Sequence, residues 1–141
     1  MQILVTGIAG FIGSNIARRL LEDGHEVIGV DDYSNGSEEN VPTGAELIVQ
    51  DLAKETAITQ LPKSIDVIMH LAGQASGENS FYNPIGDLNQ NAASTLNLIR
   101  YGIKTGVRRL VFASSMSVYG DKYKPPFDED MKQAPIDPYA V

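Results

Sequence analysis

Gly7, Gly10 and Gly13 stand at even spacing between a short apolar run, Ile3–Val5, and a stretch that repeats Ile12, Ile16 and Leu20 at helical intervals. Glycines in this place act by what they lack. At Gly7 the chain turns tightly from strand to helix, at Gly10 no Cβ blocks a pyrophosphate, and at Gly13 the helix lies close to the sheet. The N-terminus of such a helix offers N–H groups and a partial positive charge, which stabilise an anion by about 0.3–2 kcal/mol. A second β-branched run, Val27–Val30, ends in Asp31-Asp32. A carboxylate at Asp31 accepts from both hydroxyls of a ribose and repels a 2′-phosphate. Further along, Ser114 and Ser115 close an apolar run that begins at Arg108. A serine hydroxyl at the C-terminal end of a strand, beside a bound cofactor, is placed to hydrogen-bond a reacting oxygen.

These groups need a frame, and the chain supplies one. Strand, glycine turn, helix, strand and terminal acid together make a dinucleotide-binding βαβ unit, whose helix stops at Gly24. Glu46–Gln50, Ile65–Leu71 and Arg108–Ser115 read as three further strands, Ile65–Leu71 as a buried one. Residues 54–61 read as a short helix ended by Pro62, and Gln74–Tyr82, rich in Ser, Gly and Asn, as a loop. From Pro84 onward Ile85, Leu88, Ala92, Leu96, Ile99 and Ile103 fall at steps of three or four. That spacing predicts a long amphipathic helix, opened by proline and closed at Gly106. Residues 121–138 are a proline-punctuated loop. The expected fold is α/β, a Rossmann-type doubly wound parallel sheet of about five strands. On residue type alone, Asp51 after the third strand reads as a helix cap, and His70 as a satisfied polar group rather than a catalyst.

Composition bounds the partners. The chain has 141 residues, enough for one modest core, and 43% of them are hydrophobic. No apolar run approaches the length that spans a bilayer. The chain enters a strand at once, with no basic n-region, so no signal peptide is expected. No cysteine is present, which excludes disulfides and thiolate metal sites; no metal site is expected, and a cytoplasmic protein is. A net charge of −7 argues against nucleic acid or an anionic membrane as partner.

Thr6-Gly7-Ile8-Ala9-Gly10-Phe11-Ile12-Gly13 carries Gly-x-x-Gly-x-x-Gly rather than the Gly-x-Gly-x-x-Gly of other dehydrogenases. It resembles the fingerprint of the extended short-chain dehydrogenase/reductase family, the nucleotide-sugar epimerases and dehydratases. The resemblance implies NAD as cofactor, with Gly7, Gly10, Phe11 and Ile12 at its phosphates. It implies that Ser34, Asn35 and Gly36, in the loop after Asp31 and Asp32, wrap the adenosine half. Members that take NADP usually carry a basic residue there; this loop offers Ser37, Glu38 and Glu39. Asp51 and Leu52 fall beside the adenine. His70-Leu71-Ala72-Gly73 resembles the family's His-Leu-Ala-Ala/Gly, placing Leu71, Ala72, Gly73 and the following Gln74 against the cofactor. Asn91 opens a stretch resembling Asn-Val-x-Gly-Thr-x-Asn-Leu, with Ala92 for valine and Ser94 for glycine. The same helix forms half of the dimer interface in many relatives, so a homodimer is expected.

Ser114-Ser115-Met116-Ser117-Val118-Tyr119-Gly120 resembles Ser-Ser-x-x-Val-Tyr-Gly, in which the second serine, here Ser115, is catalytic and Ser114 structural on the cofactor side. Asp137-Pro138-Tyr139-Ala140 looks like Pro-Tyr-x-x-Ser/Thr-Lys, which makes Tyr139 the catalytic tyrosine. The motif's lysine belongs four residues after it, and the chain ends at Val141. Family members are longer, with a C-terminal substrate domain. Residues 1–141 are therefore expected to be a truncated NAD-binding domain that binds NAD without turnover. The intact enzyme is expected to epimerise a nucleotide sugar, in the manner of UDP-glucose 4-epimerase, through a transient keto-sugar, with Tyr139 taking a hydroxyl proton and Ser115 holding the same oxygen. Two alternatives stay open, the first a nucleotide-sugar dehydratase, decarboxylase or reductase of the same family. The dehydratases carry an Asp-Glu pair after the active-site hydroxyl and the decarboxylases a Glu, where this chain has Met116 and Ser117. A non-enzymatic NAD-binding module is the third reading, and it needs neither Ser115 nor Tyr139.

Overall fold

Ile3, Leu4 and Val5 point alternately to the two sides of a strand, and all three are buried. A strand that is apolar on both faces needs cover on both, as in a parallel sheet between layers of helix. The computed structural model describes residues 1–141 and has that architecture. Its strands are β1 (Gln2–Thr6), β2 (Glu26–Asp31), β3 (Glu46–Val49), β4 (Val67–His70) and β5 (Arg109–Phe112). They form one sheet in the order β3-β2-β1-β4-β5, every pair parallel. Leu4 lies in register with Ile28 on one side and Ile68 on the other. The chain order reverses between β1 and β4, which opens a crevice outside the C-terminal strand ends.

The two faces carry separate apolar clusters. Leu4 packs with Ile28, Val30, Ile68, Leu98 and Tyr101 on one face, and Ile3 and Val5 pack with Val27, Ile8 and Ala17 on the other. The single core expected from length is thus two layers, each strand side chain being worth about 1.5–3 kcal/mol when fully buried. Helix α1 (Phe11–Glu22) covers the second face. It ends in the left-handed turn at Gly24, φ 79°.

Between β3 and β5 the structure departs from the sequence reading in three places. Part of the expected loop, Gly77–Tyr82, is a short helix, α2, whose first turn is capped by Ser76 Oγ accepting from the Asn79 N–H. Six residues without an apolar period left no sequence signal for it; it packs against Pro84–Leu88 and Pro138–Ala140. Residues 55–59 form a 3₁₀ turn rather than a longer helix. The long helix is continuous, but α3 (Pro84–Leu88) passes through one turn of π-helix, Asn89–Ala93, before α4 (Ser94–Thr105). Its apolar stripe faces outward: Ile85, Leu88, Leu96 and Ile103 are 66, 56, 61 and 79% exposed. The face turned to the sheet holds Asp87, Ser94, Asn97, Leu98 and Tyr101. Its polar members are bonded: Asn97 Nδ2 donates to the Leu52 carbonyl at 2.9 Å, and Tyr101 Oη to the Pro62 carbonyl at 2.5 Å.

The tightest fit in the fold is at Gly13, where a Cβ would stand 2.0 Å from the Gly7 carbonyl oxygen. Backbone cannot yield there as a side-chain tip would. Gly13→Ala is expected to cost about 3 kcal/mol, read as a lower urea midpoint with an unchanged m-value. A wild-type midpoint would show that the α1–β1 approach is loose.

Candidate functional site

The C-terminal ends of β1, β2 and β4 meet at an open cleft of about 660 Å³. Gly7, at φ 71°, turns the chain out of β1; its N–H donates to the Val30 carbonyl at 2.8 Å, and its own carbonyl accepts from Gly10 N–H at 3.1 Å. A Cβ on Gly7 would lie 2.9 Å from the Ala72 nitrogen, so the turn and the residues after β4 are pressed together. Helix α1 then opens without a side-chain cap, leaving its first N–H groups for a ligand at the mouth of the cleft.

Asp31 ends β2 and is buried. Oδ2 accepts from the Ala9 N–H and Oδ1 from the Tyr33 N–H, both at 2.9 Å. Each oxygen keeps a lone pair for a ligand hydroxyl, and two backbone donors fix the plane of the carboxylate. Tyr33 adopts φ 59° to make its bond, a conformation that costs an L residue about 1–2 kcal/mol. The loop then folds back over the glycine turn. Ser37 N–H and Asn40 Nδ2 both donate to the Ala9 carbonyl, at 3.1 and 2.9 Å, and a Cβ on Gly36 would meet Ala9 at 2.7 Å.

The floor is the segment after β4. Leu71 and Ala72 N–H donate to Thr6 Oγ1 at 3.1 and 3.0 Å. At its far end Asn91 clamps Gln74, Oδ1 accepting from the Gln74 N–H at 2.8 Å and Nδ2 donating to its carbonyl at 3.1 Å. A Cβ on Gly73 would lie 2.6 Å from that Oδ1. Behind the clamp, the buried Asp87 Oδ1 accepts from Gln74 Nε2 at 2.6 Å and Asn91 Nδ2 at 3.2 Å. Asp51 Oδ1 accepts from the Ala53 N–H at 3.0 Å, capping a turn, and the residue lines the cleft.

Of the residues singled out in the sequence, Gly7, Gly10, Asp31, Asp32, Ser34, Asn35, Gly36, Asp51, Leu52, Leu71, Ala72 and Gly73 share this cleft. Gln74 and Asn91 stand behind its wall. Phe11 and Ile12 begin α1 with side chains in solvent, so their contribution is confined to the backbone. Val30, Gln50, Ala53, Gln90 and Ser94 line the cleft without having been singled out. Val30 and Gln50 sit at strand ends, where the rule on parallel sheets would have found them. Gln90 comes from the π turn and Ser94 from the start of α4 directly after it, a junction that no period marked. The lining holds three carboxylates, those of Asp31, Asp32 and Asp51, and no Lys or Arg.

Ser114, Ser115 and Tyr139 lie outside the cleft lining, the two serines at the same sheet edge. Phe112 pairs with His70 and Ala113 N–H donates to the His70 carbonyl at 3.1 Å, so Ser114 and Ser115 leave β5 beside the floor segment. Ser115 caps the turn Met116–Tyr119: its Oγ accepts from the Ser117 N–H at 3.2 Å and donates to Ser117 Oγ at 3.1 Å. Tyr139 sits in the turn Pro138–Ala140, held by Asp137 Oδ1 accepting from the Ala140 N–H at 2.8 Å. The two turns touch, and the second also packs on α2 and α3. Serine and tyrosine are thereby brought to one side of the molecule.

A glycine turn after β1, a locked carboxylate at the end of β2 and an open cleft at the C-terminal strand ends define a Rossmann-type fold. The chain belongs to the NAD-dependent epimerase/dehydratase family, matching it over residues 3–141. It is 40% identical over 149 residues to a UDP-glucose 4-epimerase of Mycolicibacterium smegmatis, covering 100% of this chain and 47% of that one. It is also 40% identical over 129 residues to UDP-glucuronic acid decarboxylase 1 of Danio rerio, covering 92% and 31%. The structure superposes on a Thermus thermophilus UDP-glucose 4-epimerase in complex with NAD at a TM-score of 0.94, with 36% identity over 99% of this chain and 46% of that one. The chain spans about half the length, or less, of these relatives.

His70 gives the site a titration signature. It is 1% exposed, and burial pushes its pKa down to about 4. Above about pH 6.5 neither folded nor unfolded chain protonates this ring, and its full contribution to stability is present. As pH falls from 6.5 toward 4 the unfolded chain takes up a proton that the folded one refuses, so stability is lost, by about 3 kcal/mol in all. Urea unfolding at a series of pH values should show that loss, and His70→Gln should remove it from the profile. Identical profiles for the two proteins would contradict it.

Proposed function

We propose that this chain is the NAD-binding half of a nucleotide-sugar epimerase of the UDP-glucose 4-epimerase kind. The observation that carries the cofactor choice is Asp31, locked by the Ala9 and Tyr33 amides in a lining without a cation. Gly7, Gly10 and the first turn of α1 would hold the pyrophosphate, Asp31 the ribose hydroxyls, and Asp51 and Leu52 the adenine. Bound NAD supplies a hydride acceptor. Tyr139 would take the proton of a sugar hydroxyl and return it, and Ser115 would hydrogen-bond the same oxygen and fix its distance from Tyr139. Zero cysteines fit a cytoplasmic enzyme.

The decarboxylase relative at 40% identity keeps a second reading alive. Ser117 weighs against it, because it has no carboxylate and its N–H and hydroxyl are both engaged with Ser115 Oγ. For partners, the outward apolar stripe of α3–α4 favours a second copy of the chain, packing stripe on stripe as a homodimer. A chain binding NAD alone, without chemistry, would have no use for a serine and a tyrosine on touching turns.

Calorimetric titration tests the cofactor reading. NAD should bind more tightly than NADP, since a 2′-phosphate against Asp31 costs several kcal/mol, and Asp31→Ala should bring the two together. Tighter binding of NADP by the wild type would overturn it. Epimerisation is expected only of a longer chain that carries a lysine four residues after Tyr139 and a sugar-binding half, because a phenol with an ordinary pKa of about 10 needs a neighbouring cation to act as a base. An assay for interconversion of UDP-sugars on the 141-residue and extended chains checks this; comparable turnover by both would refute the assignment of Tyr139. Light scattering should find a dimer that Leu96→Glu reduces to monomer.

A further inference from the structure

His70 is the one buried imidazole in the chain, and the reading above gives it no task. Its hydrogen bonds admit a single direction. Thr6 Oγ1 already accepts from two amides, those of Leu71 and Ala72. Its hydroxyl proton therefore goes to the remaining neighbour, His70 Nδ1 at 2.8 Å. Nδ1 is then bare and Nε2 carries the ring proton, which it donates to Thr95 Oγ1 at 2.9 Å. The Thr95 hydroxyl passes its own proton to the Asn91 carbonyl at 2.6 Å. Asn91 is the residue whose side chain clamps Gln74.

The relay closes a ring. Thr6 anchors the start of the segment at Leu71 and Ala72, Asn91 anchors its end at Gln74, and His70 with Thr95 joins the two anchors behind it. Leu71, Ala72 and Gly73, the residues held inside the ring, are those that line the cleft. Thr95 also sits one turn past Asn91, in α4 just after the π segment, and next to Ser94, which with Gln90 lines the same cleft. We propose that His70, as the Nε2–H tautomer, is a positioning residue for the dinucleotide, fixing the Leu71–Gly73 floor against the π turn of the long helix. The inference rests on the cofactor reading. A ring that only filled space would be replaceable by an apolar side chain at a cost to stability alone. A ring that sets the floor would, when replaced, weaken the cofactor even in the folded protein.

The test compares NAD affinity with stability in five proteins: wild type, His70→Phe, His70→Gln, Thr95→Val and, as a control, Tyr101→Phe. Tyr101 makes a buried hydrogen bond to Pro62 away from the cleft. Thr95→Val and His70→Phe should raise the Kd for NAD about tenfold, the equivalent of one lost hydrogen bond, at temperatures where each is folded. His70→Gln, which keeps one acceptor and one donor, should recover part of that loss. Tyr101→Phe should lower the melting temperature and leave the Kd alone. Nitrogen NMR of the wild type should find the His70 proton on Nε2. If Thr95→Val and His70→Phe lose stability with unchanged Kd, His70 is structural only and the proposal falls while the cofactor reading stands. A proton on Nδ1 overturns it independently. If His70→Phe does not fold, Thr95→Val, which leaves the ring in place, decides. A wild type that fails to bind NAD overturns the cofactor reading and this proposal with it.

Discussion

Helix α1 lies so near the turn after β1 that the Gly7 carbonyl oxygen occupies the space where a Cβ of residue 13 would project, 2.0 Å away. Much of the site follows from that approach. It sets the first turn of α1 at the C-terminal end of β1, with its N–H groups aimed at the crevice. It also leaves Gly7 in a left-handed turn, pressed on the backbone of Ala72. The floor segment therefore takes its height from the glycine turn. The loop after β2 takes its position from the same place, since Ser37 and Asn40 both donate to the carbonyl of Ala9 in that turn. Ala9 in turn donates to Asp31. Three strand ends are thus referred to one piece of backbone.

The long helix shows a division of labour that runs against the usual amphipathic rule. Its apolar stripe is outside, and its sheet-facing side carries Asp87, Asn91, Ser94, Thr95 and Asn97. Burying so many polar groups is tolerable only when each finds a partner. Here every one does, and no buried side-chain nitrogen or oxygen is left without a hydrogen bond. Directional bonds define distance and orientation more sharply than packing of methyl groups. A helix that must hold a cleft wall in register gains from them, while its apolar face is free for association.

The sheet was legible because strand runs such as Ile3–Val5 and Val27–Val30 are continuous, apolar and β-branched, and glycines punctuate them. Asp31 was legible as a cleft residue because it ends the second strand at the C-terminal edge of a parallel sheet. The helix period from Ile85 to Ile103 was read correctly, but period does not say which face is inward; that depends on which partners the polar side finds, and Asn97 with Leu52 or Tyr101 with Pro62 are distant in sequence. Helix α2 escaped because a capped six-residue helix is stabilised by neighbours rather than by its own pattern. The π turn escaped for a related reason: Ser94 and Thr95 hydroxyls bond the Gln90 and Asn91 carbonyls, local chemistry that no apolar spacing reports.

The charge of the molecule sharpens the same point about local control. A chain of net charge −7, whose cleft lining holds three carboxylates and no cation, is a poor electrostatic host for a pyrophosphate at long range. Screening shortens that field to about 8–10 Å in physiological salt. Inside that distance the fixed donors of the α1 terminus would dominate for a pyrophosphate seated there, because they are already oriented. On the reading proposed above, the surrounding carboxylates would act chiefly as discriminators, making any additional phosphate costly wherever the helix terminus cannot reach it. Asp31 is the sharpest of these, because two amides hold its charge still. In such a cleft affinity would come from the backbone and selectivity from the acids, and the glycines are what allow the two to stand within one ligand's length.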